Sequence, residues 1–437
     1  PRALIPPPLP EAGPPVAFPA AGGPLDLAAL QELALANSPA LRAAAAAVER
    51  QRGLAIQAGA PPNPHIGYQS DTVNTARSAG YQGAYVQQTY ITGGKLQLAE
   101  AAAQRELASA QLALRRTRVE VATAVRTAYF AALVAREKLR IHATLAAFTE
   151  DIYEAQIRLV EAGESAAYEP LQLRVFVLQS RAIVVQAEQE YASARRQLAA
   201  ALGLPLAPLG EPAGRIDMPV PALDFDSAQA LMLAVHTDLA IAGNAVAQSQ
   251  VLLRLAQVTP RPDVDTTVVV QYDDTTPGGA TTVNLQVGGA APLWNRNRGN
   301  IIAAQAAVRE QQQQAAVTQN QLIARLADAY ARYESYRRLV EKFQTEALRD
   351  QVQAYRGVYE RYRTDAQGLQ FTDVAVAQQT LSTLLTQYVT LLGEQWRAVV
   401  DVAEPLQGDD LYAFGELCPV PPPPELPLAA ARLLAPP

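Results

Sequence analysis

Three histidines, His65, His142 and His236, are the side chains most able to bind a metal or relay a proton near neutral pH. None has a second ligand type at metal-site spacing. An isolated imidazole is more often a packed or solvated residue than a ligand, so no metal and no cofactor are expected. Cys418 is the single cysteine and stands beside a proline run, Pro419 to Pro424 broken by Val420. It supports neither an intrachain disulfide nor a cysteine-based zinc site. A hydrolase triad pattern, a phosphate-cradling glycine loop and a zinc-protease helix are all missing from the sequence, which therefore reads as a non-enzyme. The remaining charged groupings sit around two glycines. Arg158, Glu161 and Glu164 flank Gly163; Arg361, Arg363 and Asp365 precede Gly368, with Asp373 beyond it. Glycine lets a chain reverse between helices, and the neighbouring charges keep such an end solvated.

Composition narrows the setting of these residues. The chain has 437 residues, a net charge of -6 and only 18% charged residues, against a usual quarter. That mild acidity argues against nucleic acid as a partner. No run of eighteen apolar residues is present, which argues against a helical membrane span. Membrane barrel strands, whose residues alternate, leave a weaker trace and stay open. The sequence opens at Pro1 without a basic and apolar leader, so an export signal is expected to have been removed or to lie outside it.

The chain divides into a Pro/Gly/Ala-rich segment, 1–24, a first repeat, 25–204, a linker, 205–224, a second repeat, 225–404, and a Pro-rich tail, 405–437. Each repeat opens with an aspartate placed to cap a helix: Asp26 before Leu27, Leu30, Leu33 and Leu35, and Asp226 before Leu231, Leu233 and Val235. Each opening helix is expected to run about thirty residues, to Gln57 and Gln257, and to be stopped by prolines, Pro61 to Pro64 and Pro260 to Pro262. Alternating segments follow in both halves. Ile66 and Tyr68 interleave with Gly67 and Gln69; Val268, Val270 and Tyr272 interleave with Thr267, Val269 and Gln271, before a loop from Asp273 to Gly279 and a second alternating run through Val283, Leu285 and Val287. This is strand, loop, strand, twice.

Both halves then return to very long helices, from near Lys95 to about Val160 and from near Gly299 to about Arg363. At 1.5 Å per residue each would span roughly 100 Å, too long for a compact globule. Shorter return helices, roughly 165–202 and 369–404, complete the pattern, and a short pair stacked end to end would match one long helix. Four strands per chain cannot close a membrane barrel, which needs at least about eight. Three copies would supply twelve strands, so a homotrimer is the expected assembly.

At this point the chain resembles the TolC-like outer membrane factor family, in the branch paired with heavy-metal efflux pumps. The resemblance is carried by Ala34-Leu35-Ala36-Asn37-Ser38-Pro39-Ala40-Leu41, Gly93-Gly94-Lys95, Ala128-Tyr129-Phe130 and Ala291-Pro292-Leu293-Trp294-Asn295-Arg296-Asn297-Arg298-Gly299-Asn300. It covers about residues 25–405 and rests on the order of these motifs in duplicate. It implies a mainly helical chain with membrane β: a trimeric α/β barrel made of a long antiparallel helical tunnel and a 12-stranded β-barrel, four strands from each chain. It also implies an outer membrane location with a long periplasmic portion, and partnership with a periplasmic adaptor and an inner membrane pump of RND type. The function implied is passive export of small solutes, heavy-metal cations among them.

The same resemblance assigns roles to residues. Arg158, Gly163, Glu164, Arg361, Asp365 and Gly368 become the periplasmic tips that meet the adaptor, although the second tip departs from the family's Gly-x-x-Ser/Thr form. Glu161, Tyr362 and Asp373 become candidates for the pore entrance, where three-fold repetition of inward carboxylates would focus cations. Against that stands their reading as ordinary solvated helix-end charges. Gly94, Pro292, Trp294 and Gly299 fall at the joint between barrel and helix, with Gly299 permitting a sharp turn and Trp294 suited to a membrane interface. The rival reading is a soluble coiled-coil structural or adaptor protein, which would have no use for duplicated alternating segments between proline stops.

Overall fold

The computed structural model describes residues 25–74, 78–162, 169–206, 209–364, 371–408, 411 and 417–418. The opening helix of each repeat is broken in two. α1 (Leu27–Asn37) gives way to α2 (Pro39–Ala58), and α5 (Phe225–Val235) to α6 (Thr237–Val258). This corrects the expectation of one continuous helix to Gln57 and to Gln257. The physical cause is clear in the first repeat: proline is welcome at the first helical position, but it forces the residue before it out of helical conformation. Ser38 is extended at φ -61, ψ 119, and His236 takes the same pair of angles, -64 and 124, without a proline.

Asp26 caps α1 by accepting a bond from the Ala29 amide at 2.8 Å. In the second repeat the cap is Asp224, which accepts from the Ser227 amide at 2.9 Å, not Asp226, which lies in the first turn. A two-residue displacement explains the misreading: both aspartates precede the apolar run, and only geometry chooses between them.

The long helices are α3 (Lys95–Glu161) and α7 (Arg298–Lys342), the latter continued by a π-helical turn (Phe343–Leu348) and α8 (Arg349–Thr364). The second long helix is therefore not the uniform α-helix expected to about Arg363. The return helices are α4 (Glu169–Ala201) and α9 (Phe371–Leu406). The apolar stretch Phe225–Val258 reaches a mean hydropathy of 1.4 over a window long enough to cross a membrane. It is interrupted at His236, and α6 carries Asp238, Asn244, Gln248 and Arg254, with Gln248 donating to Glu106 of α3 at 2.6 Å.

Contacts group the chain into two compact units, each drawing matching segments from both repeats. The first comprises Pro1–Arg42, Arg116–His236 and Leu322–Pro437. Its core includes Leu30, Phe130, Leu133, Tyr333, Tyr388 and Trp396, all essentially inaccessible. Phe130 stacks on Trp396 with ring centroids 4.4 Å apart. The segment read as a linker is pinned from Pro212 to Pro221. Tyr129 and Arg136 of α3 donate to the carbonyls of Ala213 and of Pro212 and Gly214, the Trp396 indole donates to Ile216 O at 2.8 Å, and Tyr333 donates to Pro221 O at 2.8 Å. β3 (Val220–Pro221) then pairs with β6 (Leu417–Cys418).

One charged cleft in this unit carries a pH dependence. Arg332 bonds Asp401 at 2.8 Å and Asp328 at 3.2 Å, with His236, Arg325 and Glu404 lining the same space. Burial pushes the Glu404 carboxyl above the usual carboxylate range, helped by Asp401 and Glu120 and opposed by Arg325. A carboxyl raised in the folded state binds its proton more tightly there than in the unfolded chain. Its contribution is fully present below the unfolded pKa and is lost as pH rises through the folded one. Thermal unfolding of Glu404→Gln across a pH series should show the variant gaining on the native chain from mildly acid to neutral pH. Parallel curves would refute this.

The second unit comprises Ala43–Arg115 and Thr237–Gln321. It holds β1 (His65–Asp71), β2 (Tyr81–Tyr90), β4 (Val264–Asp273) and β5 (Ala280–Gly288) in one antiparallel sheet, order β1-β2-β4-β5. The two hairpins, one from each repeat, join along β2 and β4, from Tyr81 opposite Asp273 to Tyr90 opposite Val264.

Candidate functional site

Strand alternation gives the sheet two chemically opposite faces, because successive side chains point to opposite sides. Register places Ile66, Val86, Val268 and Leu285 in one row across all four strands, and Tyr68, Ala84, Val270 and Val283 in the next. This face is apolar and open: Ile66 is 75% exposed and Leu285 66%. The other face is mainly polar and is least accessible along β4, while Asn284 and Gln286 of β5 are exposed. Gln271 and Asp273 are 3% and 6% exposed. The distribution is inverted relative to a water-soluble sheet, whose apolar face turns inward. An apolar patch of this breadth requires an apolar neighbour.

The polar face is built as a network. Asp71 at the end of β1 accepts from Gln69 at 2.7 Å and from Gln271 of β4 at 3.0 Å, while Asn284 of β5 donates to Gln271 at 3.4 Å. The Gln271 side chain reaches β1 across β2 because its partner in register there is Gly83. A Cβ on Gly83 would stand 2.1 Å from Val270 O and 2.6 Å from Gln271 Cα. Beside it, Gly67 faces Tyr85 in register, and the Tyr85 ring occupies the space a side chain would take. At the hairpin end, Asp273 accepts from the Thr275 amide at 2.8 Å, and Asp274 accepts from the Ala79 amide at 3.1 Å, tying the two loops together.

At the opposite end the strands pass into helices. Gly93 and Gly94 both adopt left-handed backbone, φ 71 and 73, turning the chain into α3. Lys95 then bonds Asp263 of the other repeat at 2.9 Å and Arg261 O at 2.7 Å, while the Thr92 amide donates to Asp263 at 2.9 Å. In the second repeat Pro292 is half-buried and Trp294 is 94% exposed. Gly299 lies inside the first turn of α7, and the left-handed turn falls on Asn297, φ 60. Asparagine tolerates that region when its side chain bonds locally: Asn297 Oδ1 accepts from the Asn300 side chain at 2.6 Å, and Asn297 Nδ2 donates to Ala256 O at 2.8 Å.

Of the tip residues, Arg158 and Glu161 occupy the last turn of α3, both exposed; Arg361 is exposed on α8, and Asp373 is exposed in the first turn of α9. Tyr362 belongs to α8. Gly163, Glu164, Asp365 and Gly368 fall outside the described residues. The three histidines lie apart, on β1, on α3 and at the α5–α6 break; burial lowers the pKa of His142. Among the described residues no trio of His, Cys, Asp or Glu is grouped to hold a metal. The Asp71–Gln271 network and the Lys95–Asp263 bridge went unread in the sequence. Gly83, a glycine inside an alternating strand, was the available signal for close backbone approach.

A duplicated helix, hairpin, long helix and return helix, joined at a sheet with one open apolar face, is a fold this chain shares with solved outer membrane channels. Residues 30–204 match the model of the family described as outer membrane efflux protein, the family that the sequence motifs resemble. Among solved structures the chain is similar to CusC, with a TM-score of 0.71 at 16% identity over 87% of this chain and 91% of that one. It is similar to a membrane protein from Pseudomonas aeruginosa, at 0.72 and 17%, covering 87% and 92%. The outer membrane protein VceC from Vibrio cholerae gives 0.70 and 19%, covering 87% and 96%. A comparison with curated protein sequences finds no match.

Proposed function

We propose that this chain is the outer membrane subunit of a tripartite efflux assembly and acts as a passive export duct for small solutes. The single observation that carries the reading is the inverted sheet: an apolar face open to its surroundings, a hydrogen-bonded polar face, and β1 and β5 as edges. Backbone groups of an edge strand in lipid have no water to bond. Three copies pairing β1 of one with β5 of the next close twelve strands and leave no edge. The ten residues of β2 extend about 33 Å at 3.3 Å each, and tilted at about 40° they cover the roughly 25 Å lipid-facing band of such barrels.

The helical part favours the same assembly. On α4, Leu171, Val175, Leu178 and Val185 are all exposed, and their spacing of four, three and seven is the seam of a coiled coil awaiting another helix. In this reading the helical part lies in the periplasm. The ends of α3 and α8, with Arg158, Gly163, Glu164, Arg361, Asp365 and Gly368, meet a periplasmic adaptor that links the duct to an inner membrane pump of RND type. Glu161, Tyr362 and Asp373 stand at the entrance, and Gly94, Pro292, Trp294 and Gly299 at the joint. Heavy-metal cations are the cargo suggested by the sequence resemblance to the metal-pump branch.

Light scattering on the purified chain tests the reading. In detergent it should be a trimer, and after transfer to a planar bilayer it should conduct ions. A soluble monomer or dimer that needs no detergent would overturn the channel and leave the coiled-coil scaffold.

A further inference from the structure

The segment after β5 carries an exposed apolar pair followed closely by two exposed cations. Leu293 N donates to Ala291 O at 2.9 Å, closing a tight turn. Four residues on, Asn297 is held by Ala256 O at 2.8 Å, by Asn295 Oδ1 on its amide at 3.0 Å, and by the Asn300 side chain at 2.6 Å. Between these fixed points Leu293 and Trp294 are 66% and 94% exposed. An indole held almost wholly in water on a pinned turn has a large apolar surface without a neighbour, whereas Trp at a membrane boundary satisfies both its apolar body and its polar N–H.

Charge identifies the neighbour. Arg296 and Arg298 flank Asn297, both are exposed, and neither makes an ion pair with a described residue. No Asp or Glu occurs between Asp274 and Glu310. The nearest carboxylates across the sheet are occupied: Asp263, whose carbonyl lies against Gly289, is bonded by Lys95, and Asp265, in register with Gly288, accepts from Thr89 at 2.5 Å. The apolar pair is also continuous in sequence with β5, whose Val283, Leu285 and Val287 form part of the open apolar face.

We propose that Leu293, Trp294, Arg296 and Arg298 form an interfacial anchor that selects anionic phospholipid, the indole and leucine entering the acyl boundary and the two guanidiniums bonding the headgroup phosphodiester. Guanidinium is suited to this because its planar donor fork matches phosphate oxygens. The anchor rests on the reading that the sheet crosses the membrane, and it adds a lipid class that the channel reading does not contain.

The protein supplies its own probe, having two tryptophans of which Trp396 is 0% exposed. The full chain is placed in phosphatidylcholine vesicles containing phosphatidylglycerol, with bromine on the acyl chains of one lipid or the other. Brominated phosphatidylglycerol should quench the Trp294 emission well beyond its bulk share, since two cations at the surface enrich anionic lipid roughly thirtyfold. Trp294→Phe should remove the quenching, and Arg296→Gln with Arg298→Gln should equalise the two lipids while conductance persists. Equal quenching in the native chain overturns the selectivity. No quenching from a conducting protein overturns the anchor itself, and reversal by inorganic phosphate marks a generic anion site. Absence of conductance in every sample removes the channel reading, and the anchor falls with it.

Discussion

Gly83→Ala is expected to abolish the proposed detergent-stable trimer, although it adds one methyl group. The added Cβ meets backbone, Val270 O at 2.1 Å and Gln271 Cα at 2.6 Å, rather than the tip of a flexible side chain. The local cost of overpacking is about 1–3 kcal/mol, and the consequence extends further. β2 and β4 form the seam between the two repeats, so a displaced β2 changes the spacing of β1 and β5, the edges that neighbouring copies would pair in the proposed trimer. The same methyl pushes aside Gln271, leaving the Asp71 carboxylate without its cross-strand donor. Gly53→Ala is the matched control: its Cβ meets nothing within 4 Å on α2, and a helical Gly→Ala change gains up to about 1 kcal/mol. Gel filtration in detergent should show a trimer for Gly53→Ala and smaller or aggregated species for Gly83→Ala. A normal trimer from Gly83→Ala would show that the sheet seam yields without harm.

This dependence on one glycine marks the boundary between what the sequence contains locally and what it does not. The two faces of the sheet follow from period-two alternation, and the long helices from sustained apolar patterning without an internal proline; both are local properties. That Gly83 lies between Gln69 and Gln271 follows from pairing register, which spans nearly two hundred positions of chain and is set by the meeting of two repeats. Asp224 and Asp226 show the same limit at short range. Each can cap a helix, and the choice fell to the one preceded by Leu223, which packs at 9% exposure. The break at Ser38 was legible in principle from Pro39, whereas its counterpart at His236 has no proline to announce it. The π turn at Phe343–Leu348 has no local signature either. For the tips, the sequence reads the glycines and charges as turns, but Gly163 and Gly368 lie outside the described residues, and the proposed adaptor contact is not a property of this chain alone.

The so-called linker gives the second large effect. Composition marks 205–224 as loop, yet its carbonyls are the acceptors for an indole, tyrosine hydroxyls and a guanidinium arriving from three different helices, α9, α7 and α3. Trp396 is the centre of that arrangement, stacked on Phe130 and bonded to Ile216 O. Trp396→Ala should cost about 3–5 kcal/mol from the cavity alone, with about 1–3 kcal/mol more from the carbonyl left unpaired in a dry site. Trp396→Phe separates the two contributions by keeping a ring against Phe130 while losing the N–H donor. Denaturant unfolding in detergent should therefore order native, Trp396→Phe, Trp396→Ala, with the larger step at Ala. Were the two variants equally destabilised, the hydrogen bond to the strap would dominate and the stacked pair would contribute little. A native-like Trp396→Ala would mean that the strap is held by Tyr129, Arg136 and Tyr333 without the indole, and that the stack is not what joins α3 to α9.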